Sequence, residues 1–138
     1  MMTGIIWFVQ IVHYPLFLKV PAGGFVAYEQ SHTVRTGFVV APLMLLELGT
    51  ALGLLLVSLS SRGNDTVGLS PLHLSALACL LLIWGSTFFI QVPLHQLLEQ
   101  RADSKSMDLL VATNWIRTIL WSIRLALLTL LITPRICP

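Results

Sequence analysis

Three stretches of this chain run for about twenty residues with almost no charge. Gly37 to Leu59 carries one charged side chain, Glu47; Pro71 to Gln91 carries none of Asp, Glu, Lys or Arg; Leu109 to Ile132 carries two, Arg117 and Arg124. A helix that crosses a bilayer needs roughly 20 mostly apolar residues. Lipid offers no partner for a bare backbone amide, so such runs must satisfy their hydrogen bonds internally, as helices do. Composition points the same way: the 138 residues are 56% hydrophobic and 10% charged, against roughly 25% charged in soluble domains, and the mean hydropathy is +0.85. Too little polar side chain is present to cover so much apolar surface in water. The expected fold is therefore all-α: an integral membrane, up-down four-helix transmembrane bundle occupying residues 1–138 as a single domain.

The boundaries follow from breakers and caps. A first span is expected over 3–19, bent or ended by Pro15 and followed by the turn Pro21-Ala-Gly-Gly24. The N-terminal residues Met1 to Gln10 are already apolar, with no basic leader and no small-residue cleavage site, and read as that first helix rather than as a signal peptide. The second segment, 25–59, starts with the polar run Tyr28 to Thr36, which is expected to project into the interface, and Pro42 is a candidate kink. The run Ser60 to Ser70 reads as a loop, and Ser70-Pro71 as an N-cap with proline at the first helical position. The third span is expected over 71–91 with Pro93 ending or kinking it, then an interfacial amphipathic stretch from Leu94 to Asp108 with a turn near 102–106. The fourth covers 109–132, stopped by Pro134.

Alternating direction brings distant residues together. The end of the first span, the start of the second, the end of the third and the start of the fourth share one membrane face. They carry His13 and Tyr14; Glu29, His32 and Arg35; Gln91, His95 and Glu99; and Asn114 and Arg117. Helical periodicity gives each span one polar stripe: Gln10 and His13; Glu29, His32, Thr36, Leu43 and Glu47; Trp84, Thr87, Gln91 and His95; Asn114, Arg117, Trp121 and Arg124. An ionisable group inside a span costs roughly 2.5–3.5 kcal/mol on insertion scales, so these residues should pair, line a cavity or do chemistry.

Glu29 and His32 form an E-x-x-H, which sets both side chains on one helix face, as metal ligands are set in soluble four-helix carboxylate proteins. His13 and His95 should reach the same level from other helices. The set His13, Glu29, His32 and His95 thus reads either as a site for Fe, Cu or Zn or as interfacial histidines bonded to neighbours and headgroups. Haem held by a histidine pair is a further alternative, without any attachment motif. Arg117, with Asn114 one turn before it, either reaches out to headgroups or supplies the donors that hold an anionic or carbonyl-bearing substrate. Tyr14 is a candidate proton donor. Glu47 and Arg124 each lie ~15 Å below the polar end and are expected to pair, as a structural contact or as part of a path. The four tryptophans suit interface anchoring or core packing.

Other classes are set aside. The net charge of +2 and the lack of a basic tract speak against nucleic acid. Cys79 and Cys137 form no C-x-x-C and do not suggest thiol redox chemistry. No dinucleotide fingerprint, P-loop or nucleophile elbow is present. Expected partners are the lipid bilayer, a lipophilic small molecule, and a membrane-protein partner or a second copy. Lys19, Arg101 and Lys105 at the polar end, against Arg62 and Arg135 at the other, favour a cytoplasmic polar end in a bacterial-type inner membrane.

Asn114-Trp-Ile-Arg-Thr118 near the start of the last span, together with the histidine-bearing His13-Tyr14-Pro15, resembles the anthrone-oxygenase-like family of small four-helix membrane proteins. The resemblance covers most of the chain in layout and, in residues, only those few positions. The family name implies oxygenation of a planar polyketide; the reading of this chain as a membrane-embedded oxidoreductase or oxygenase acting on a lipophilic substrate comes instead from a metal held by some of His13, Glu29, His32 and His95, with Arg117 and Asn114 positioning the substrate. The alternatives from the residues alone are a non-enzymatic accessory or transport subunit, and a haem or quinone electron carrier.

Overall fold

A computed structural model describes residues 1–60 and 70–132. Most of the expected 60–70 loop, the stop at Pro134, and Arg62, Arg135 and Cys137 lie outside the described residues. The rest is helical, with no strand among the described residues. Four helices follow one another: α1 Met2–Phe17, α2 Ala22–Ser60, α3 Pro71–Leu98 and α4 Ser104–Ile132. The last three are long and apolar enough to cross a membrane; α1 is apolar but shorter. Large apolar side chains stand outward, Phe38 at 79% and Phe89 at 84% exposed, a surface compatible with lipid contact.

Two prolines are absorbed rather than obeyed. Pro15 was expected to bend or end the first helix and Pro93 to end or kink the third. Neither helix ends there: both run on, each through a π-helical turn immediately upstream, Val9–His13 in α1 and Thr87–Gln91 in α3, the kind of turn at which helices bend. A proline lacks the N–H that would close the α-helical ring, and its own ring crowds the carbonyl four residues back. In each wide turn, the residue just before the proline reaches one carbonyl further. Tyr14 N–H bonds to Val9 and Val92 N–H to Thr87. The extra residue re-aims everything downstream, including His95.

Other boundaries shift for local reasons. Leu94 to Leu98 continue α3 rather than forming a separate stretch. α4 begins five residues before the expected 109, because Asp103 caps it. The Asp103 Oδ2 accepts from Ser106 N at 3.1 Å and from the Ser106 hydroxyl. At the other end of the chain order, Ser70 Oγ accepts from His73 N at 3.4 Å and meets His73 Nδ1 at 2.8 Å, the start of α3. α2 is a single unbroken helix through Pro42.

Packing puts like ends together. α4 lies against α1 and α3, and α2 meets α1 and the last part of α3. One core cluster joins Met2 and Ile6 of α1, Met44 of α2, Leu80 and Ile83 of α3, and Trp121 of α4. A second joins Tyr14, Phe17, Phe25, Leu98 and Leu110, where the ends of α1 and α3 meet the starts of α2 and α4. Cross-helix bonds lock α1 to α4: Thr3 Oγ1 donates to the Trp121 carbonyl at 3.3 Å, and Trp7 Nε1 to Ser122 Oγ at 3.0 Å. α2 is the loosest member: only Phe25, Glu29 and Met44 of its residues are buried.

Candidate metal centre

The second cluster's end of the molecule carries the candidate site residues. Glu29 is fully buried on the first turns of α2, and its Oε1 meets His95 Nδ1 of α3 at 2.5 Å. His32, one turn after Glu29, holds its Nδ1 3.1 Å from Thr36 Oγ1. One ligand atom from each of Glu29, His32 and His95 lies within 4.8 Å of the others. Two ligands bonded to one ion at ~2.1 Å stand about 3–4 Å apart, so shifts of about an ångström would bring three such atoms onto an ion. The 2.5 Å approach is a hydrogen bond and too close for two ligand atoms of one ion. For Glu29 and His95 to bind one ion, this hydrogen bond must open by about an ångström, with His95 Nδ1 and a Glu29 oxygen both turned to the ion. The second Glu29 oxygen, Oε2, is buried with no hydrogen-bond partner, as a ligand atom awaiting a cation would be.

His13 reaches this level but joins differently. Its ring stacks on His32, with centroids 4.3 Å apart and planes 16° from parallel. A metal lies in the plane of each imidazole that binds it, and two stacked rings offer no shared in-plane point. His13 is therefore a wall to His32 rather than a fourth ligand, and Tyr28 stacks on His32 as well, at 6.2 Å. The interhelical pair Glu29–His95 is what the sequence spacing does not contain; the E-x-x-H within α2 names Glu29 and His32 but not their partner.

A cavity of about 510 Å³ opens beside the cluster, between α2 and the other helices. Its polar end includes His32, His95, Gln91, Tyr14 and Arg117; its apolar wall includes Ile6, Val40, Met44, Trp84 and Phe88. Arg117 is 8% exposed, and its Nη1 donates to Asn114 Oδ1 at 3.2 Å. Asn114 is fixed in turn: its Nδ2 donates to Gln10 Oε1 at 2.8 Å, and Gln10 Nε2 donates to the Val111 carbonyl at 3.3 Å. Gln91 Nε2 donates to Thr113 Oγ1 at 3.0 Å. Gln10 and Gln91, both buried in or at a π-turn, are site residues that residue type alone did not single out; their place on polar stripes inside apolar helices was the signal. Tyr14 is buried, within electrostatic reach of both Arg117 and Glu29. Thr33 Oγ1 donates to Glu99 Oε1 at 2.6 Å and Gln30 Nε2 to the Glu99 carbonyl at 3.0 Å, tying α2 to α3 at the rim.

Glu47 and Arg124 lie away from this cavity. Arg124 Nη1 bonds Glu47 Oε2, and the guanidinium sits 5.6 Å from the Trp121 ring centroid. A smaller cavity of about 110 Å³ touches this pair together with Thr50 and His73. Arg35 is exposed. Cys79 is a buried free thiol remote from the histidines in sequence and on the other half of α3. No family model, curated protein or solved structure matches the chain.

Proposed function

We propose that the chain is an integral membrane protein, an up-down four-helix bundle, that binds a transition-metal ion through Glu29, His32 and His95 and acts as an oxidoreductase or oxygenase on a lipophilic substrate held in the adjoining cavity. The observation that carries this reading is the placement of two imidazoles and one carboxylate, from two helices, at the polar end of a cavity with an apolar wall. Two histidines and one carboxylate with open positions are the donor set of non-haem Fe(II) oxygenases, and also of one class of catalytic zinc site. Bound there, the ion would supply Lewis acidity and, as iron, a redox couple.

The chain's own residues do the rest. Thr36 holds His32 through Nδ1 and leaves its Nε2 free, while the Glu29–His95 hydrogen bond would open by about an ångström for both side chains to become ligands. Arg117, steadied by Asn114 and Gln10, offers donors to a carbonyl or anionic oxygen. Tyr14, buried and lining the same cavity, is the candidate proton donor. The wall from Ile6 to Phe88 excludes water and accepts an apolar body. The likeness of Asn114, Arg117, Thr118 and His13-Tyr14-Pro15 to the anthrone-oxygenase-like family agrees with the oxygenase class, and the basic residues at this end favour its facing the cytoplasm.

Elemental analysis of detergent-purified protein tests the reading. Near-stoichiometric Fe, Zn or Cu, lost in His32→Ala and in His95→Ala, is the expected result. Protein that stays metal-free after incubation with each ion, while retaining its fold, overturns it. The exposed flank of α2 favours a second reading, an accessory subunit of a membrane complex or a homo-oligomer with no ion. Co-purification of a partner with metal-free protein would select it.

A further inference from the structure

α4 buries two arginines on one stripe, and only one has a counter-charge. Among the described residues the ion pairs are Glu29 with His95 and Glu47 with Arg124; neither includes Arg117. Arg117 spends one donor on Asn114, and its Nε is buried with no partner. A guanidinium keeps its proton in a protein. Removing such a cation from water without an anion costs several kcal/mol. The carboxylates at this end meet other groups: Glu29 meets His95, and Glu99, which lines the same cavity, accepts from the Thr33 hydroxyl; neither is in ion-pair contact with Arg117. A fixed, buried, uncompensated cation lining a 510 Å³ cavity is a site built for a charge that comes from outside the chain.

We infer that the cavity takes an apolar molecule bearing a single oxyanion, a long-chain or aryl carboxylate, with the oxyanion on Arg117 and the body along Met44, Trp84 and Phe88. This names the substrate class of the site proposed above and rests on that reading for the role of the cavity, though the contact itself does not require the ion. A volume of this size lies within the range of small-molecule sites. One unpaired guanidinium matches one negative charge; a second anion would meet Glu29 and Glu99. The planar fork of Arg117 suits the two oxygens of a carboxylate.

Trp84 lines the cavity and serves as reporter. Protein in neutral-lipid nanodiscs is titrated with a terminally brominated undecanoate, its methyl ester and a bromonaphthoate, following tryptophan quenching in wild-type protein and in Trp84→Phe. Saturable quenching by a carboxylate, at least about tenfold tighter than by the ester and absent in Trp84→Phe, is expected; the two acids tell a chain-shaped body from a flat one. Arg117→Gln should abolish the preference for acid over ester, and Arg117→Lys should keep part of it. Equal quenching by acid and ester in wild-type protein overturns the inference, whatever the folding of the variants. The titration is run with and without prior EDTA. Charge-selective binding that survives stripping of a protein that never holds metal leaves this inference standing and removes the metal reading; stoichiometric metal without charge selectivity does the reverse.

Discussion

Replacing Glu47 by glutamine leaves Arg124 almost fully buried with a neutral neighbour, and the structure sets the size of the loss. The Arg124 side chain is 5% exposed and that of Glu47 26%. Breaking a fully buried pair by removing one partner costs about 3–5 kcal/mol. Two features reduce that figure here. The 110 Å³ cavity beside Glu47, Thr50 and His73 has room for water, which needs only about 10–15 Å³ of such space. Glu47 is itself partly exposed, so the pair is partly screened by solvent and is worth less than a fully buried one. A loss of about 2–3 kcal/mol remains, roughly a 30- to 150-fold drop in the folded-to-unfolded ratio. Reversible unfolding by SDS titration in mild-detergent micelles measures it. Arg124→Gln alone should cost a similar amount, and the double variant should lose clearly less than the sum, since it leaves no orphaned charge. Strict additivity of the two single losses would refute the claim that the pair is held by its own charge balance.

Pro93→Ala should let the Thr87–Gln91 turn relax to α-helix and rotate Val92 to Leu98 by about 100°, taking His95 away from Glu29. Metal affinity should fall at least about tenfold, and thermal stability should fall with it because the same rotation takes Leu98 out of the core; full retention of metal affinity would deny the π-turn this aiming role. The hydrogen bonds from the Ser106 side chain and backbone hold the Asp103 carboxyl below its ordinary range. A depressed carboxylate contributes stability that is present above the unfolded value and lost as pH falls through the folded one. Protection of the first α4 amides from hydrogen exchange should therefore decline in acid below the usual carboxylate range, and Asp103→Asn should flatten that dependence. Cysteines placed at Phe38 and Phe89 in native membranes should resist a membrane-impermeant maleimide and react after detergent solubilisation; rapid labelling in intact vesicles would deny lipid contact at those faces.

Much of the fold was legible because lipid-compatible helices leave few options. Apolar runs fixed three long helices, and chain direction alone put His32 and His95 at one end although 62 residues separate them in sequence. The α4 stripe Asn114, Arg117, Trp121 and Arg124 is buried throughout, as a helical period demands of polar groups in an apolar helix. The α2 stripe was legible only in part: Glu29 is buried, but Thr36 is half-exposed on the large cavity and Glu47 on the smaller one. Proline was the misleading letter. Pro15 and Pro93 signal a break, yet whether a helix stops or inserts a π-turn depends on the tertiary contacts that reward continuing, here Phe17 and Leu98 in the core. The same dependence hid the Glu29–His95 contact, since the extra residue in the second π-turn changes which way His95 points. Stacking of His13 on His32 could not be read at all from spacing, because it depends on ring orientation between helices.

X-ray absorption at the metal edge, on protein loaded with one equivalent of Fe(II), tests the shared site most directly. The account predicts a shell of nitrogen and oxygen ligands with outer-shell scattering from two imidazoles, one of which disappears in His32→Ala and one in His95→Ala. An edge spectrum without imidazole scattering, or one that both substitutions leave unchanged, would contradict it.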